Sequence, residues 1–298
     1  MNENKTNINW YPGHMAKTKK QIIEDLKLID VVIELLDARI PVSSQNPDMK
    51  EIVKDKKKIV LFNKCDLADE SETKKWVEKY KKESTIAIAV DANSGKGINE
   101  VTRQITKIMQ EELDKNAAKG RTGRKIRAMV LGIPNVGKSS FINRISKKTS
   151  AIVGNKPGVT RQKQWIRVDD KIELLDTPGV LWPKFESNEV ALNLAFTGTI
   201  KDDILDKIDI AYYLLKYLLE NYKENVIERY KLDKDEIDEI LQNDDNPENE
   251  NIMQVFYLIG KKRGAIVSGG NVDEQKVANI ILDDFRTTRL GKITIEKV

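Results

Sequence analysis

The sequence predicts an open α/β domain followed by a small all-helical domain, and three observations carry that reading. From Val31 to Asp176, short apolar runs alternate with amphipathic stretches, the β-α-β rhythm of a sheet flanked by helices. Gly132–Ser139 sets two glycines, a lysine and a serine at the end of one such run. After Pro183 the apolar residues recur at helical spacing. The chain therefore divides into residues 1–183, with an N-terminal extension over about 1–20, and residues 184–298.

The expected strands are VVIELLD (31–37), KIVLF (58–62), STIAIAV (84–90), RAMVLG (127–132) and KIELLD (171–176). They are short and apolar throughout, as parallel strands covered on both faces should be. Helical segments such as SETKKWVEKYKKE (71–83) and INEVTRQITKIMQEEL (98–113) lie between them. In the second domain EVALNLAF, DDILDKIDIAYYLLKYLLENY, ENVIERY, IMQVFYLIG and EQKVANIILDDFRT read as helices, and the acidic stretch 233–250 as a polar helix and then a loop.

Of the 298 residues, 40% are hydrophobic and 33% charged, a balance that excludes a disordered chain. No apolar run approaches the ~20 residues of a membrane helix. The start MNENKTNINW carries no apolar signal core, so a cytoplasmic protein is expected. A single cysteine, Cys65, excludes an internal disulfide framework and a cysteine-rich zinc site. A net charge of +4 does not by itself declare a nucleic-acid binder. The basic runs at 17–20, 54–58, 119–127 and 260–264 read first as solvated surface.

GIPNVGKSS (132–140) fits G-x-x-x-x-G-K-S between an apolar strand and a helix, the context this phosphate-binding loop requires. Its glycines let successive N–H groups turn inward, and the new helix offers its N-terminus to the same anion. Asn135, Val136, Gly137, Lys138, Ser139 and Ser140 would wrap the phosphates, with Lys138 on the β- and γ-phosphates and Ser139 on Mg²⁺. DTPG (176–179) reads as D-x-x-G, with Asp176 holding Mg²⁺ through water and the Gly179 N–H sensing the γ-phosphate. Thr160 falls between these motifs, where a switch threonine would close on Mg²⁺ and the γ-phosphate.

The stretch Asn63-Lys64-Cys65-Asp66 reads as N-K-x-D, the guanine-reading motif. Its aspartate accepts from guanine N1–H and the N2 amine, a pattern adenine lacks, so ATP is disfavoured. Asn63 would brace the phosphate loop, and the Lys64 stem would lie along the base. AVDANSGKGI (89–98) follows the next strand and resembles the second guanine loop, with the Ala92 and Asn93 amides facing guanine O6 and Asp91 in place of the usual serine. GTP/GDP with Mg²⁺ is the implied ligand set. The order along the chain is base, base, phosphate, switch I, switch II, so the fold class is a circularly permuted Ras-like P-loop GTPase domain followed by the helical domain. Exposed loops can be cut and rejoined in this way without losing the site. Switch II then leads through DTPGVLWPKF straight into the helical domain, where nucleotide state could be read as a change in the linker.

That order, with WYPGHMAKT (10–18), DARIPVSSQNP (37–47), GIPNVGKSS, DTPGVLWPKFE and FTGTIKD, resembles the ribosome biogenesis GTPase A family over nearly the whole chain. The resemblance implies GTP hydrolysis stimulated by the large (50S) ribosomal subunit late in its assembly. It also implies a helical domain that binds ribosomal RNA; neither membrane nor DNA is an expected partner. Nothing suggests a dimer seam, so a monomer is expected.

Ras-like enzymes place a water-orienting glutamine after D-x-x-G, where this chain has Val180. The resemblance makes His14, the only histidine, the water-orienting candidate; the alternatives are a turn residue in Tyr-Pro-Gly-His or an RNA contact. Similarity to potassium-stimulated GTPases makes Asn135 a candidate K⁺ ligand. Tyr212, Tyr213, Tyr217, Phe256 and Tyr257 sit at helical spacing and read as core rather than as base-stacking platforms. A GTP-gated RNA-binding placeholder with incidental hydrolysis is the second functional reading. A GTPase acting on tRNA or in stress signalling fits the permuted order less well.

Overall fold

A computed structural model describes residues 13–120, 123–146, 164–182, 185, 187–200, 206–243 and 247–298. The chain forms two compact units, Met1–Ser187 together with Thr294–Val298, and Asn188–Ile293.

The first unit is built on a six-stranded sheet. Its strands are β1 (Val31–Asp37), β2 (Lys57–Asn63), β3 (Ile86–Ala89), β4 (Ile126–Gly132), β5 (Gln164–Arg167) and β6 (Ile172–Asp176). Their spatial order is β3-β2-β1-β4-β6-β5. All neighbours are parallel except β5, which runs antiparallel to β6 at the edge. Every residue of β1 is buried, as its unbroken apolar run requires. If counting begins at β4 and passes from the last strand to the first, the order is Ras-like. The phosphate-loop strand is central, base-reading strands lie on one side and switch strands on the other. The permutation is thus a property of the sheet as well as of motif order.

Sequence periodicity misses β5: its described residues, Gln164–Arg167, pair with β6 and are too few for alternation to declare a strand. It also makes the sheet mixed rather than all parallel. Around the sheet lie α1 (Gly13–Asp25), α2 (Pro47–Ile52), α3 (Glu70–Lys82), α4 (Ile98–Ala118) and α5 (Lys138–Ile145). Asp69 caps α3 by accepting the Ser71 and Glu72 amides, with acids in the first turn and lysines in the last to match the helix dipole. Ile22, Leu26 and Ile29, in and just after α1, join the core formed by Val32, Met129, Leu131 and Leu175.

The second unit contains α6 (Asn188–Phe196), α7 (Lys207–Asn221), α8 (Lys223–Tyr230), α9 (Lys234–Leu241), α10 (Glu248–Lys262) and α11 (Glu274–Arg286). Leu214, Leu215, Leu218, Val255, Phe256, Ile259, Val277 and Ile281 are buried in its core. The aromatic residues correct one expectation. Phe256 is buried, but Tyr213 is 45% exposed. Tyr212, Tyr217 and Tyr257 are half-buried. Their rings lie at the margin because the hydroxyls seek polar partners: Tyr212 donates to Asn249 and Tyr257 to Glu274. The end of the chain is a second correction, since Thr294–Val298 belongs with the sheet unit and not with the helices.

Candidate nucleotide-binding site

Register brings the motifs to one end of the sheet. Leu35 of β1 pairs with Gly132 of β4, Asp37 with Asn63 of β2, and Val130 of β4 with Asp176 of β6. The loops leaving these strands therefore emerge together at their carboxyl ends, where open α/β sheets bind ligands.

Asn63 joins the two halves of the site. Its Nδ2 donates to the Val136 carbonyl at 2.8 Å, and its Oδ1 accepts the Ala92 amide at 3.2 Å. One buried side chain thus ties the phosphate loop and the Ala92 loop to the N-K-C-D strand. Gly137 has φ 99°, and a Cβ there would stand 2.4 Å from Asn63 Nδ2. Glycine is required by backbone and by space alike. Arg144 of α5 adds a further tie, donating Nε to the Ala92 carbonyl at 3.1 Å.

Lys138 is buried, and its ammonium donates to the Gly132 and Ile133 carbonyls at 3.1 and 2.8 Å. Burial lowers its pKa to about 8, against the pull of the Asp176 carboxylate. Gly179 lies directly against this loop: a Cβ there would meet Lys138 Nζ at 2.7 Å and the Pro134 nitrogen at 2.8 Å. The D-x-x-G glycine therefore touches the phosphate loop itself. Thr177 fixes the start of that segment by donating Oγ1 to the Val130 carbonyl at 2.5 Å. Ser139 and Ser140 occupy the first turn of α5. The Ser139 hydroxyl and the Asp176 carboxylate are hard oxygen donors of the kind Mg²⁺ takes. Asn135 adopts a left-handed backbone, φ 57°, inside the loop. Thr160 lies outside the described residues.

Val180 is buried in the apolar core with Ile22, Met49 and Leu175, and its carbonyl accepts Asn46 Nδ2 at 2.9 Å. The position that carries glutamine in Ras-like enzymes points into packing here. His14 lies within α1 (Gly13–Asp25) rather than in a free turn. The His14 side chain lies outside the described residues.

The base side differs from expectation in two ways. The amides assigned to guanine O6 are engaged within the protein, Ala92 N–H to Asn63 Oδ1 and Asn93 N–H to Asp91 Oδ1 at 2.8 Å. Contact with O6 requires them to share or exchange those bonds. Asp91, which replaces the usual serine, accepts the Asn93 and Ser94 amides and so shapes the loop. Burial works to raise its pKa, but these hydrogen bonds prevail and hold it low. The second difference is a set of residues that motif reading did not assign. Asp37, at the end of β1 and 1% exposed, receives Arg39 through Nε at 2.9 Å and NH2 at 2.8 Å, and Lys64 Nζ at 3.0 Å. Burial opposes its ionisation, but the Arg39 and Lys64 charges and the Arg39 hydrogen bonds overcome it and hold the carboxyl far below its usual range. The available signal was the Asp-Ala-Arg at a strand end, parallel to the strand that delivers Asn63.

In the second unit the exposed Arg263, of the GKKRG run, bends back over its own unit. It lies 3.7 Å from buried Asp284 and over the Tyr230 ring. Arg229 forks the same carboxylate at 2.9 and 2.8 Å. Among the described residues no helix is long and apolar enough to cross a membrane, and no cluster of three or more His, Cys, Asp or Glu could hold a metal ion.

Residues 127–256 match the family model described as 50S ribosome-binding GTPase. The base-reading loops lie upstream of that match, as the permuted order dictates. Ribosome biogenesis GTPase A of Bacillus cereus is 46% identical over 289 residues, 97% of this chain and 93% of that one. Mitochondrial ribosome-associated GTPase 1 of Mus musculus is 32% identical over 97% of this chain and 90% of its own length. The structure of GNP-bound YlqF from T. maritima matches in fold, with a TM-score of 0.63 at 23% identity over 94% of this chain and 98% of that one. With its N-K-C-D and phosphate loops clipped together by Asn63 on a permuted sheet, the chain is a guanine-nucleotide-binding GTP hydrolase and belongs to the ribosome biogenesis GTPase A family.

Proposed function

We propose that the protein binds GTP with Mg²⁺, engages the precursor of the large ribosomal subunit through its helical unit, hydrolyses GTP there and is released. The observation that carries the nucleotide assignment is the Asn63 clip, because it joins N-K-C-D to the phosphate loop in space although the chain order separates them. The partner rests on the family description and on the names of the relatives.

In this reading Lys138 leaves its two carbonyls for the β- and γ-phosphates, and the Gly179 amide meets the γ-phosphate. Ser139, Thr160 and Asp176 hold Mg²⁺, which would neutralise charge on the phosphates. Asn63, Lys64, Cys65 and Asp66 form the base side, with Asp66 reading N1–H and the N2 amine. Asn135 supplies a K⁺ ligand. His14 orients the attacking water when the subunit is bound. RNA contacts by the helical unit would be mainly to phosphate and would weaken steeply with salt.

The burial of Val180 favours a second reading, a GTP-gated placeholder in which hydrolysis is incidental. GTP turnover with and without purified large subunits, in K⁺ and in Na⁺, separates the two. Strong stimulation that is lost in His14→Ala, with subunit binding kept, supports the first. Intact subunit binding without stimulation supports the placeholder. Equal rates in the two salts remove the K⁺ role of Asn135.

A further inference from the structure

Thr294–Val298 has no part in the chemistry described above, yet it packs within the nucleotide-binding unit. Thr294 is completely buried and Ile295 is 9% exposed. On one side the tail grips the loop after β1. The Arg39 carbonyl accepts the Ile295 amide at 2.9 Å, and the Glu296 carboxylate accepts the Val42 amide at 2.5 Å, the Ser43 amide at 3.0 Å and the Ser43 hydroxyl. On the other side it grips α3. Trp76 Nε1 donates to the Glu296 carbonyl at 2.8 Å, and the Asp69 amide to Thr294 Oγ1 at 3.0 Å.

These two segments flank Asn63–Asp66 in the chain. Arg39 is therefore held at both ends, its main chain by the tail and its guanidinium by Asp37, which in turn holds Lys64. Asp69 caps the helix that begins just after N-K-C-D. A carboxylate taking three donors from one turn fixes that turn strongly, since charge-assisted hydrogen bonds are shorter and stronger than neutral ones. We propose that Thr294–Val298 is a strap that positions the guanine side of the site, with Glu296 as its anchor and Arg39, Asp37 and Lys64 as its line to the base. Glu296 touches no nucleotide; it is a positioning residue. The proposal rests on N-K-C-D being the base-reading loop. The strap continues directly from the helical unit at Ile293, so a partner engaging that unit has a covalent route to the base side as well as the one through switch II.

The test is release of a fluorescent GDP analogue from the full chain by stopped flow, with steady-state GTP turnover alongside. Glu296→Ala should speed GDP release about fivefold. It should raise KM for GTP by a similar factor and leave kcat at saturating GTP unchanged. Trp76→Phe keeps an aromatic ring in the core and removes one strap bond, so it should act in the same direction if Glu296→Ala does not fold. In an Asp37→Asn background Glu296→Ala should add little, because the line to Lys64 is already cut. An unchanged release rate in a folded strap variant overturns the proposal, as does an undiminished effect in the Asp37→Asn background. Asp66→Asn is the control on the reading beneath it, since its amide should favour xanthine over guanine nucleotides. If that preference shifts while strap variants release GDP normally, the strap alone fails. If the preference does not shift, the base-reading assignment fails and takes the strap with it.

Discussion

On the phosphate side of the site, the Lys138 contacts are local, reaching carbonyls five and six residues back along the chain. Around N-K-C-D the contacts reach much further, from Asn63 to Ala92 across 29 residues and from Trp76 to Glu296 across 220, and Asn63 also spans 73 residues to Val136 of the phosphate loop. The phosphate loop takes its shape from glycines and a helix start, so a short motif suffices to encode it. The base side is an assembly of side chains on separate segments, held by a buried carboxylate with two cationic partners. One half is readable as a pattern, and the other only as a packing arrangement.

The comparison is broken most severely at Asp37. Asp37→Asn leaves buried Arg39 and half-buried Lys64 beside a neutral amide and should cost about 3–5 kcal/mol of folding stability by urea unfolding. A loss under 1 kcal/mol would mean that the network does not hold the base side together. The ionisation of Asp37 carries a pH signature. Its folded pKa is depressed, so its contribution is present above the unfolded value, near 3.9, and is lost as pH falls toward the folded one.

Lys138→Ala should weaken GDP binding roughly a hundredfold by calorimetry, with little change in melting temperature, because the side chain serves the anion more than the fold. A large drop in melting temperature without a change in affinity would reverse the contrast between the two halves. A smaller effect follows from its pKa of about 8. Phosphates favour the charged form, so GDP affinity should be flat below that pH. It should then fall up to about tenfold per pH unit above it, until the bound-state pKa is reached. A flat profile from pH 7 to 10 would show that Lys138 remains charged throughout.

The smallest expected change is at Asn46, which caps α2 through the Asp48 and Met49 amides and holds the Val180 carbonyl. Asn46→Ala should cost about 1–2 kcal/mol, the loss of a cap and one buried hydrogen bond. Val180→Gln, by contrast, should not accelerate intrinsic hydrolysis, since the side chain at that position enters the core. Faster single-turnover hydrolysis in that variant would show that the segment turns toward the nucleotide.

The sequence by itself determined the alternating α/β pattern, the helical second unit, the phosphate loop, D-x-x-G, N-K-C-D and their permuted order. Each depends on residues close together in the chain, where periodicity, glycine geometry and turn chemistry leave a local trace. Tertiary structure alone decided that Asn63, expected to brace the phosphate loop, also takes the Ala92 amide, that Val180 enters the core and that Asp37 gathers Arg39 and Lys64. It alone returned Thr294–Val298 to the sheet unit and added β5 as an antiparallel edge. These features arise from strand register and from hydrogen bonds between distant segments. A five-residue tail or a four-residue edge strand is too short to announce its partner, and a buried ion pair depends on where two backbones meet.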